Sequence, residues 1–378
     1  MHRNELLIRK TKFILNIRNK VYTRLFISQK KFYLMKCLYL LIFFYCIVIN
    51  LSQAQVNENN IPKNHIAPAP LFRDPVTDGA ADPVLIWNRE EKKWWMLYTQ
   101  RRANVEAPDV AYCYGNDIGI ASAEDNGQTF VYRGTLNLEM EKGRNTFWAP
   151  DVVYQNGEYH MFLVYIKGVR IHWGGNGRMA HYISKNLWDW KFVGFKKLSS
   201  DKAIDASLMQ MPDGTWRMWY KDNAPKPAIR MAQSNDLYNW SLDVKPALEN
   251  SGQEGPKIFK FGNYYWMITD EWDGMRVYRS NDANTWEKQG LILDSATQRS
   301  DDTPSGAHGD VIVVNNKAYV FYFTHPGRKT HFDAHMNKDG IYPFNERRSS
   351  IEVGPLEIEN GTLVSNRNKS FDFWLESL

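Results

Sequence analysis

Cysteine is scarce in this sequence, which has three in 378 residues. Cys37 and Cys46 lie in the N-terminal 54 residues, so only Cys113 remains beyond them. A single cysteine cannot form an intramolecular disulfide, and it cannot supply the thiolate set of a structural zinc site. The nine histidines show no tight metal-ligand spacing either. The sequence therefore predicts a fold that its core stabilises, without disulfides or structural zinc.

A basic excess is also missing once the N-terminus is set aside. Residues 1–54 contain ten Lys or Arg and one acid, Glu5, whereas the remainder has 37 basic and 41 acidic residues. Proteins that bind nucleic acid usually present a positive surface to the phosphates. The net charge of −4 beyond residue 54 therefore disfavours nucleic acid as a partner.

The N-terminal segment resembles a signal peptide. Lys30, Lys31 and Lys36 precede an apolar run over residues 37–51, and Ser52-Gln53-Ala54 supplies small residues for a peptidase. The run is shorter than the roughly 20 residues that span a bilayer comfortably. We expect cleavage after Ala54 and a secreted or periplasmic protein that no longer contacts the membrane. An uncleaved membrane anchor is the alternative. Residues 55–70 are polar with three prolines, which predicts a linker.

No long helical stripe of apolar residues occurs, and one β-rich pattern recurs instead. An ionisable residue begins a short β-rich run, a turn of Asn, Gly or Asp follows, and an aromatic strand ends the unit. The five units begin at Asp82, Asp151, Asp205, Glu254 and His308. Four-stranded repeats of this length are typical of propeller blades. We therefore predict an all-β, five-bladed β-propeller over residues 71–378; a β-sandwich is the less favoured alternative.

Propeller geometry would bring the first residues of the five units to one central pocket. Neighbouring carboxylates raise one another's pKa, so one can stay protonated while another is ionised. Cleavage of a glycosidic bond needs this separation, with an acid for the leaving oxygen and a base for water. The alternative is that these acids only cap turns, which is strongest for Asp151.

The motifs resemble those of glycoside hydrolase family 43 over roughly residues 74–326. They are Ala81-Asp82-Pro83, Trp148-Ala149-Pro150-Asp151, Ile204-Asp205-Ala206-Ser207-Leu208, Glu254-Gly255-Pro256-Lys257-Ile258-Phe259 and Gly306-Ala307-His308-Gly309-Asp310. The resemblance implies a five-bladed propeller and an inverting glycosidase for substrates such as arabinans and xylans.

The resemblance also implies a role for each acid. Asp82 would be the general base, Asp205 would tune the pKa of the acid, and Glu254 would be the general acid. His308 would match a central histidine that lies beside a water-coordinated calcium in many relatives, which implies calcium near the pocket centre as a cofactor and His308 as its metal-site residue. Asp74 and Asp78 compete with Asp82 for the role of base, and Asp82 is preferred because a strand follows it directly.

Aromatic residues near the inner strands predict a carbohydrate partner, an oligo- or polysaccharide of plant or algal origin. Trp148, Trp173 and Trp272 offer flat apolar surface close to the pocket, and we expect Asp151 and His308 to contact substrate as well. The insertion over residues 101–116 should overhang the pocket. The alternatives are a carbohydrate-binding propeller without catalysis, a protein-interaction propeller, and a relative that releases anhydro-galactose from agar fragments, a match that Gln253 weakens.

Overall fold

The computed structural model describes residues 61–378, except 139, 244 and 331. The predicted signal peptide and residues 55–60 lie outside the described residues. Five four-stranded antiparallel sheets follow one another along the chain, which confirms the all-β, five-bladed propeller. Of the helices in this part of the chain, none has the length and apolar character to cross a membrane.

Each blade is built from four consecutive strands. The strands are β1 (Ala80–Asn88), β2 (Lys93–Gln100), β3 (Asp117–Ala123) and β4 (Phe130–Thr135) in blade 1; β5 (Thr146–Gln155), β6 (Glu158–Ile166), β7 (Arg178–Ser184) and β8 (Lys191–Phe195) in blade 2; β9 (Ala203–Gln210), β10 (Trp216–Asp222), β11 (Ala228–Ser234) and β12 (Ser241–Leu242) in blade 3; β13 (Glu254–Phe261), β14 (Tyr264–Asp270), β15 (Met275–Ser280) and β16 (Glu287–Ile292) in blade 4; and β17 (Ala307–Val314), β18 (Lys317–Thr324), β19 (Ser350–Glu359) and β20 (Thr362–Val364) in blade 5. The helices among the described residues are a short α1 (Phe344–Arg347) and two 3₁₀ turns, Lys63–His65 and Asp109–Cys113.

A serine turn joins the third and fourth strands in several blades. In blade 2, the Ser184 hydroxyl accepts the Leu187 N–H at 2.9 Å, and the Trp190 indole donates to the Leu187 carbonyl at 2.8 Å. Blade 3 repeats both contacts, with Ser234 and Trp240 each bonded to Leu237. This local hydrogen bonding explains why serine and tryptophan recur at fixed spacing in the sequence.

Every inner strand carries a β-bulge close to its start. The ladder register shifts after Ala81 in β1, after Trp148 in β5 and after Glu254 in β13, with equivalent shifts in β9 and β17. Four of the bulges contain a residue with positive φ: Asp82 (48°), Ala149 (45°), Asp205 (56°) and Gly255 (55°). A bulge bends its strand and redirects a side chain, and here it changes the direction of the strand at the end where the five strands meet.

At each of the five junctions between blades, a side chain of one blade accepts a hydrogen bond from a backbone N–H group of the next blade. The pairs are Thr99 with Ala149, Asp151 with Leu208, Asp205 with Gly255, Asp270 with His308, and Asp310 with Leu85. These bonds satisfy buried donors that have no partner within their own sheet, because each first strand lies at the edge of its sheet. Some acids at the starts of the blades are therefore part of the architecture.

The C-terminal tail connects blade 5 to blade 1. The Tyr319 hydroxyl of β18 donates to the Asp372 carbonyl at 2.8 Å, and the Trp94 indole of β2 donates to the Glu376 carbonyl at 2.9 Å. Between these contacts, Phe373 and Leu375 are fully buried in a core that blades 1 and 5 share. The tail therefore closes the ring between the first and last blades.

Residues 61–70, which the sequence predicts as part of a linker, pack against this tail instead. The His65 ring stacks on Trp374 with 4.1 Å between centroids, and its Nδ1 lies 2.8 Å from Asp372 Oδ1. Ile66 forms a β-bridge with Asp372. Prolines and a single 3₁₀ turn leave no strand periodicity in this segment, so its pattern resembles that of a linker.

The buried tail predicts a large loss of stability in Phe373→Ala. Phe373 packs against Tyr319 and Phe321 and has no exposed surface. Its truncation should lower the free energy of unfolding by about 3–5 kcal/mol, because it opens a cavity where blades 1 and 5 meet. Urea unfolding followed by tryptophan fluorescence measures the change. Leu378→Ala, at a position that is 64% exposed, is the control and should change stability little. Equal stabilities of the two variants would contradict the closing role of the tail.

Candidate active site

A cavity of about 960 Å³ lies where the five inner strands begin. It is lined by seven of the eight residues that the sequence predicts for the site, namely Asp82, Asp205, Glu254, His308, Trp148, Trp173 and Trp272. Asp151 is not among the lining residues. The cavity therefore unites residues from all five blades that lie far apart in the sequence.

Asp82 lies between two nitrogen groups. Its Oδ1 is 3.6 Å from Nη2 of Arg101 and 3.5 Å from Nδ1 of His308. Burial alone would lower the pKa of Arg101, but the charge of Asp82 contributes to a net increase, so the guanidinium remains a cation. Arg101 also packs on the Phe323 ring at 4.6 Å. A carboxylate held beside a fixed cation at the cavity wall is placed to accept a proton from water.

The two other aspartates that compete with Asp82 have structural partners away from the cavity. Asp74 is buried and accepts hydrogen bonds from the Tyr98 hydroxyl, the Gln100 amide and the Thr77 N–H. Asp78 forms an ion pair with Arg73. Neither of them lines the cavity, so Asp82 is the one of the three that can act there.

Asp205 and Glu254 lie on adjacent blades and influence each other's titration. Burial, followed by the negative charge of Asp82, raises the pKa of Asp205 to about 7. Burial, followed by the charge of Asp205, raises the pKa of Glu254 to about 7. Asp205 Oδ2 also accepts the Gly255 N–H at 3.1 Å, which fixes the backbone directly after Glu254. A carboxyl with a pKa near 7 still holds a proton in mildly acidic solution, as a general acid must.

Gly255 is required by this arrangement. A Cβ at its position would lie 2.6 Å from Cγ of the His308 ring, and its φ of +55° is a conformation that L side chains rarely adopt. The close approach lets His308 pack directly beside the backbone that carries Glu254.

Asp270 is a fourth buried carboxyl in the cavity, and it is absent from the residues that the sequence predicts. It lies at the end of β14 and pairs across the ladder with Glu254. Its two oxygens accept the N–H groups of His308 at 2.9 Å and Trp272 at 2.7 Å. Burial, followed by the charge of Glu254, raises the pKa of Asp270 to about 7. The sequence pattern could have indicated Asp270, because the second strand of a blade ends where the first strand begins.

Asp151 lies one layer below the cavity. Its Oδ1 is 3.0 Å from Nζ of Lys257, which also lies 2.7 Å from Oδ1 of Asp310. The other oxygen of Asp151 accepts the Leu208 N–H at 2.6 Å. The bulge puts Ala149, two residues earlier, at the position that Asp82 and Asp205 occupy in their blades. The structure therefore places Asp151 in a buried ion cluster rather than at the predicted substrate surface.

The three tryptophans lie at the rim of the cavity. The Trp148 indole donates to the Cys113 carbonyl at 2.7 Å, and its ring lies 6.2 Å from that of Trp173. Trp173 is 61% exposed, whereas Trp148 and Trp272 are half-buried. The backbone N–H of Trp272 donates to Asp270, which fixes the backbone from which this ring extends. Flat indole rings along the cavity, one exposed and two half-buried, fit a ligand that combines apolar faces with polar edges.

The insertion over residues 101–116 contributes further residues that the sequence does not single out. Arg101, Val110, Tyr112 and Cys113 all line the cavity, so the insertion overhangs it as predicted. Burial raises the pKa of the Cys113 thiol, so that it remains protonated and unreactive. His325 of blade 5 lies beside Arg101, with 3.5 Å between Nε2 and Nη1.

The described residues around His308 do not form a calcium site from their own side chains, and a calcium that water coordinates there stays a prediction. Calcium prefers six to eight oxygen ligands, whereas no group of three or more His, Cys, Asp or Glu in this part of the chain could hold a metal. Asp82, the carboxylate next to His308, already faces Arg101. Between the carboxylates of the layer below, the ammonium of Lys257 supplies the positive charge. No step of the chemistry is therefore assigned to calcium.

Comparison with known proteins supports this interpretation of the fold. No family model matches the chain. Over 209 residues, it is 27% identical to the probable arabinan endo-1,5-alpha-L-arabinosidase A of Emericella nidulans, and the match covers 50% of this chain. The chain thus spans 58% of the length of this curated relative.

Solved structures resemble the chain over most of its length. A thermostable family-43 glycoside hydrolase matches with a TM-score of 0.58 and 18% identity, covering 81% of this chain and all of that one, 100%. The calcium-free, xylotriose-bound CoXyl43, a GH43 beta-xylosidase/alpha-arabinofuranosidase from a compost microbial metagenome, matches with a TM-score of 0.59 and 16% identity, covering 79% and 96%. The chain has the five-bladed propeller fold of glycoside hydrolase family 43 and its relatives, which confirms the resemblance that its motifs indicate.

Proposed function

We propose that this protein is an inverting glycoside hydrolase. One observation carries the proposal: a single cavity holds Asp82 beside the Arg101 cation and, in the facing blades, carboxyls whose pKa values burial raises to about 7. One carboxylate can then act as a base while another group remains a protonated acid. The names of the curated relatives and of the similar structures support the same reaction class.

The reaction would use three of the acids. Glu254 donates its proton to the glycosidic oxygen, and the bond between that oxygen and the anomeric carbon breaks. Asp82 accepts a proton from a water molecule, whose oxygen bonds to the anomeric carbon from the opposite face. Asp205 stabilises the protonated form of Glu254 through its own negative charge and fixes Gly255. In the product, the anomeric configuration is inverted.

The substrate class follows from the lining of the cavity. Indole rings at the rim and buried carboxyls below suit a neutral sugar that stacks on one face and donates hydroxyl hydrogens to acceptors. Arabinan, xylan and galactan fragments of plant or algal origin are the substrates to test first, because similar proteins are named for their cleavage.

Hydrolysis of defined oligosaccharides tests the proposal. The purified protein is incubated with arabino-, xylo- and galacto-oligosaccharides, and proton NMR records the first anomer that is released. We expect an initial product whose configuration is opposite to that of the substrate. Retention of configuration would overturn the inverting mechanism. Binding without hydrolysis across the panel would favour a carbohydrate-binding propeller instead.

The charge of Asp205 leads to a prediction about pH dependence. Asp205→Asn keeps an oxygen that can accept the Gly255 N–H but removes the charge that helps to raise the pKa of Glu254. Glu254 should then lose its proton at lower pH, so the alkaline limb of the pH–rate profile should move to lower pH. Profiles of kcat/KM measure the shift. Asp213→Asn, on an exposed turn, is the control, and an unmoved alkaline limb in Asp205→Asn would contradict the tuning role.

Export is a separate proposal that rests on residues 1–54. Expression of the full chain in a secreting host should yield a mature protein that begins at Gln55, because Ala54 ends the small-residue site. Mass spectrometry of the secreted protein measures its N-terminus. Secreted material that retains residues 37–51 would contradict the cleavage and favour an anchor.

A further inference from the structure

The loops at the cavity end of the propeller differ strongly in length between the blades. Within each blade, the loop at this end joins the second and third strands, and the connections from one blade to the next also reach this end. In blades 5, 1 and 2 these loops are long and comprise residues 325–349, 101–116 and 167–177. In blades 3 and 4 they are short and comprise residues 223–227 and 271–274.

Hydrogen bonds join the three long loops to one another. The Asp109 N–H donates to the Gly340 carbonyl at 2.7 Å, and the Val110 N–H donates to the Ile171 carbonyl at 3.1 Å. The Asp109 carboxylate also lies 2.5 Å from Nδ1 of His172. We refer to residues 101–116, 167–177 and 325–349 together as the wall. Because backbone bonds connect its parts, the wall is one continuous structure over three adjacent blades.

The wall presents large side chains to the cavity. Trp173 and Phe332 both line it and are 61% and 72% exposed, and Tyr112 and Tyr342 line it lower down. Arg328 also lines the cavity and donates to the Tyr112 hydroxyl at 3.0 Å, so a second contact links residues 325–349 to residues 101–116. A polysaccharide chain that crossed the cavity would have to displace these side chains of the wall.

Of the two proposed catalytic carboxyls, one lies in a blade with a long loop and the other in a blade with a short loop. Asp82 is in blade 1, and its cation Arg101 is the first residue of a wall loop. Glu254 is in blade 4, whose loop 271–274 is short and contributes Trp272 to the cavity lining. The proton donor must face the leaving oxygen, so the leaving part of the substrate extends towards blade 4. The sugar that carries the anomeric carbon then lies towards the wall.

We propose that the wall makes this protein an exo-acting hydrolase, which removes sugar from the non-reducing end of its substrate. The inference rests on the proposed function. The sugar that carries the reacting anomeric carbon belongs to the non-reducing side of the cleaved bond, and in this proposal the wall blocks the path of a chain beyond that sugar. The rest of the substrate leaves the cavity over blades 3 and 4. Internal bonds of a long chain are therefore out of reach.

End-blocked oligosaccharides test this directionality. The whole protein is given the oligosaccharide that it hydrolyses best in three forms: unmodified, reduced to the alditol at the reducing end, and methylated on the terminal sugar of the non-reducing end. We expect the alditol to be cleaved at close to the unmodified rate and the methylated form to lose at least 100-fold in rate. Equal cleavage of all three forms would overturn exo-action, while absence of cleavage of the unmodified form would overturn the proposed function instead.

Linear polysaccharide gives a second readout. An exo-acting enzyme releases reducing sugar with little early loss of viscosity, whereas internal cleavage lowers viscosity rapidly. With the double variant Trp173→Ala/Phe332→Ala, we expect the viscosity of the polysaccharide solution to fall further for each reducing end released than with the wild type. The reason is that two large side chains of the wall are removed. Val131→Ala, on the exposed outer strand β4, is the matched control and should behave as the wild type does. A double variant with an unchanged ratio would overturn the wall as the cause.

Discussion

Replacing Asp82 by Asn should lower kcat/KM by a factor of about 10²–10⁴, on natural oligosaccharides and on activated aryl glycosides alike. An amide cannot accept the proton of the attacking water. A better leaving group does not compensate, since water must still be deprotonated as it attacks. Michaelis–Menten kinetics on one substrate of each kind measure the effect.

The backbone at this position should tolerate the substitution, and thermal unfolding of the variant checks whether the loss of the charge beside Arg101 affects the fold. Asp82 has a φ of +48°, and asparagine adopts this left-handed conformation more readily than most residues do. Asp78→Asn is the matched control, because Asp78 also has a positive φ of 54° but pairs with Arg73 outside the cavity. Near-normal turnover in Asp82→Asn, with a large loss in Asp78→Asn, would move the base to Asp78 and defeat the site assignment.

The sequence was sufficient to predict most of the propeller because each blade repeats a hairpin and its turn. Blade 5 was the exception, since residues 325–349 separate β18 from β19. That excursion hides the third and fourth strands from any search for a constant spacing. A repeat pattern detects what its copies share, so the loop that distinguishes blade 5 was the part it could not predict.

The repeat pattern placed Asp82, Asp205 and Glu254 correctly at the cavity, but it placed Asp151 wrongly. Strand periodicity does not show which residue of an inner strand occupies the β-bulge that all five blades share. In blade 2 the bulge puts Ala149 at the cavity position and Asp151 beside Lys257. Asp270 was not predicted for a different reason: it lies at the end of a second strand, whereas the repeated pattern marks only the starts of first strands.

Asp205 has a structural contact and also lies in the cavity, so the structural explanation of the acids does not exclude the proposed catalytic one. Asp205 Oδ2 accepts the Gly255 N–H across a blade junction, in the same way that Asp310 accepts the Leu85 N–H. Yet Asp205 also lines the cavity, and its charge helps to raise the pKa of Glu254. The ring of junction bonds thus places carboxyls at the centre of the fold, and the bulges decide which of them reach the substrate.

Replacing Glu254 by Gln should give a loss that depends on the leaving group. On natural oligosaccharides kcat/KM should fall by about 10²–10⁴-fold, because an amide has no proton to donate to the glycosidic oxygen. Activated aryl glycosides should lose far less, because their leaving groups depart without protonation. The alkaline limb near pH 7 should also disappear, since it reports the pKa of Glu254, which burial and Asp205 raise to about 7.

Kinetics on both substrate types between pH 4 and pH 9 test this prediction, with thermal unfolding as a check of the fold. The variant should unfold at the same temperature or higher, because one of several buried like charges has been removed. Glu249→Gln, an exposed acid in the loop before β13, is the control and should keep the wild-type profile. Equal losses on both substrates would assign Glu254 to a step other than leaving-group protonation. If only Asp270→Asn then showed the dependence on the leaving group, the proton donor would be Asp270, its partner across the ladder.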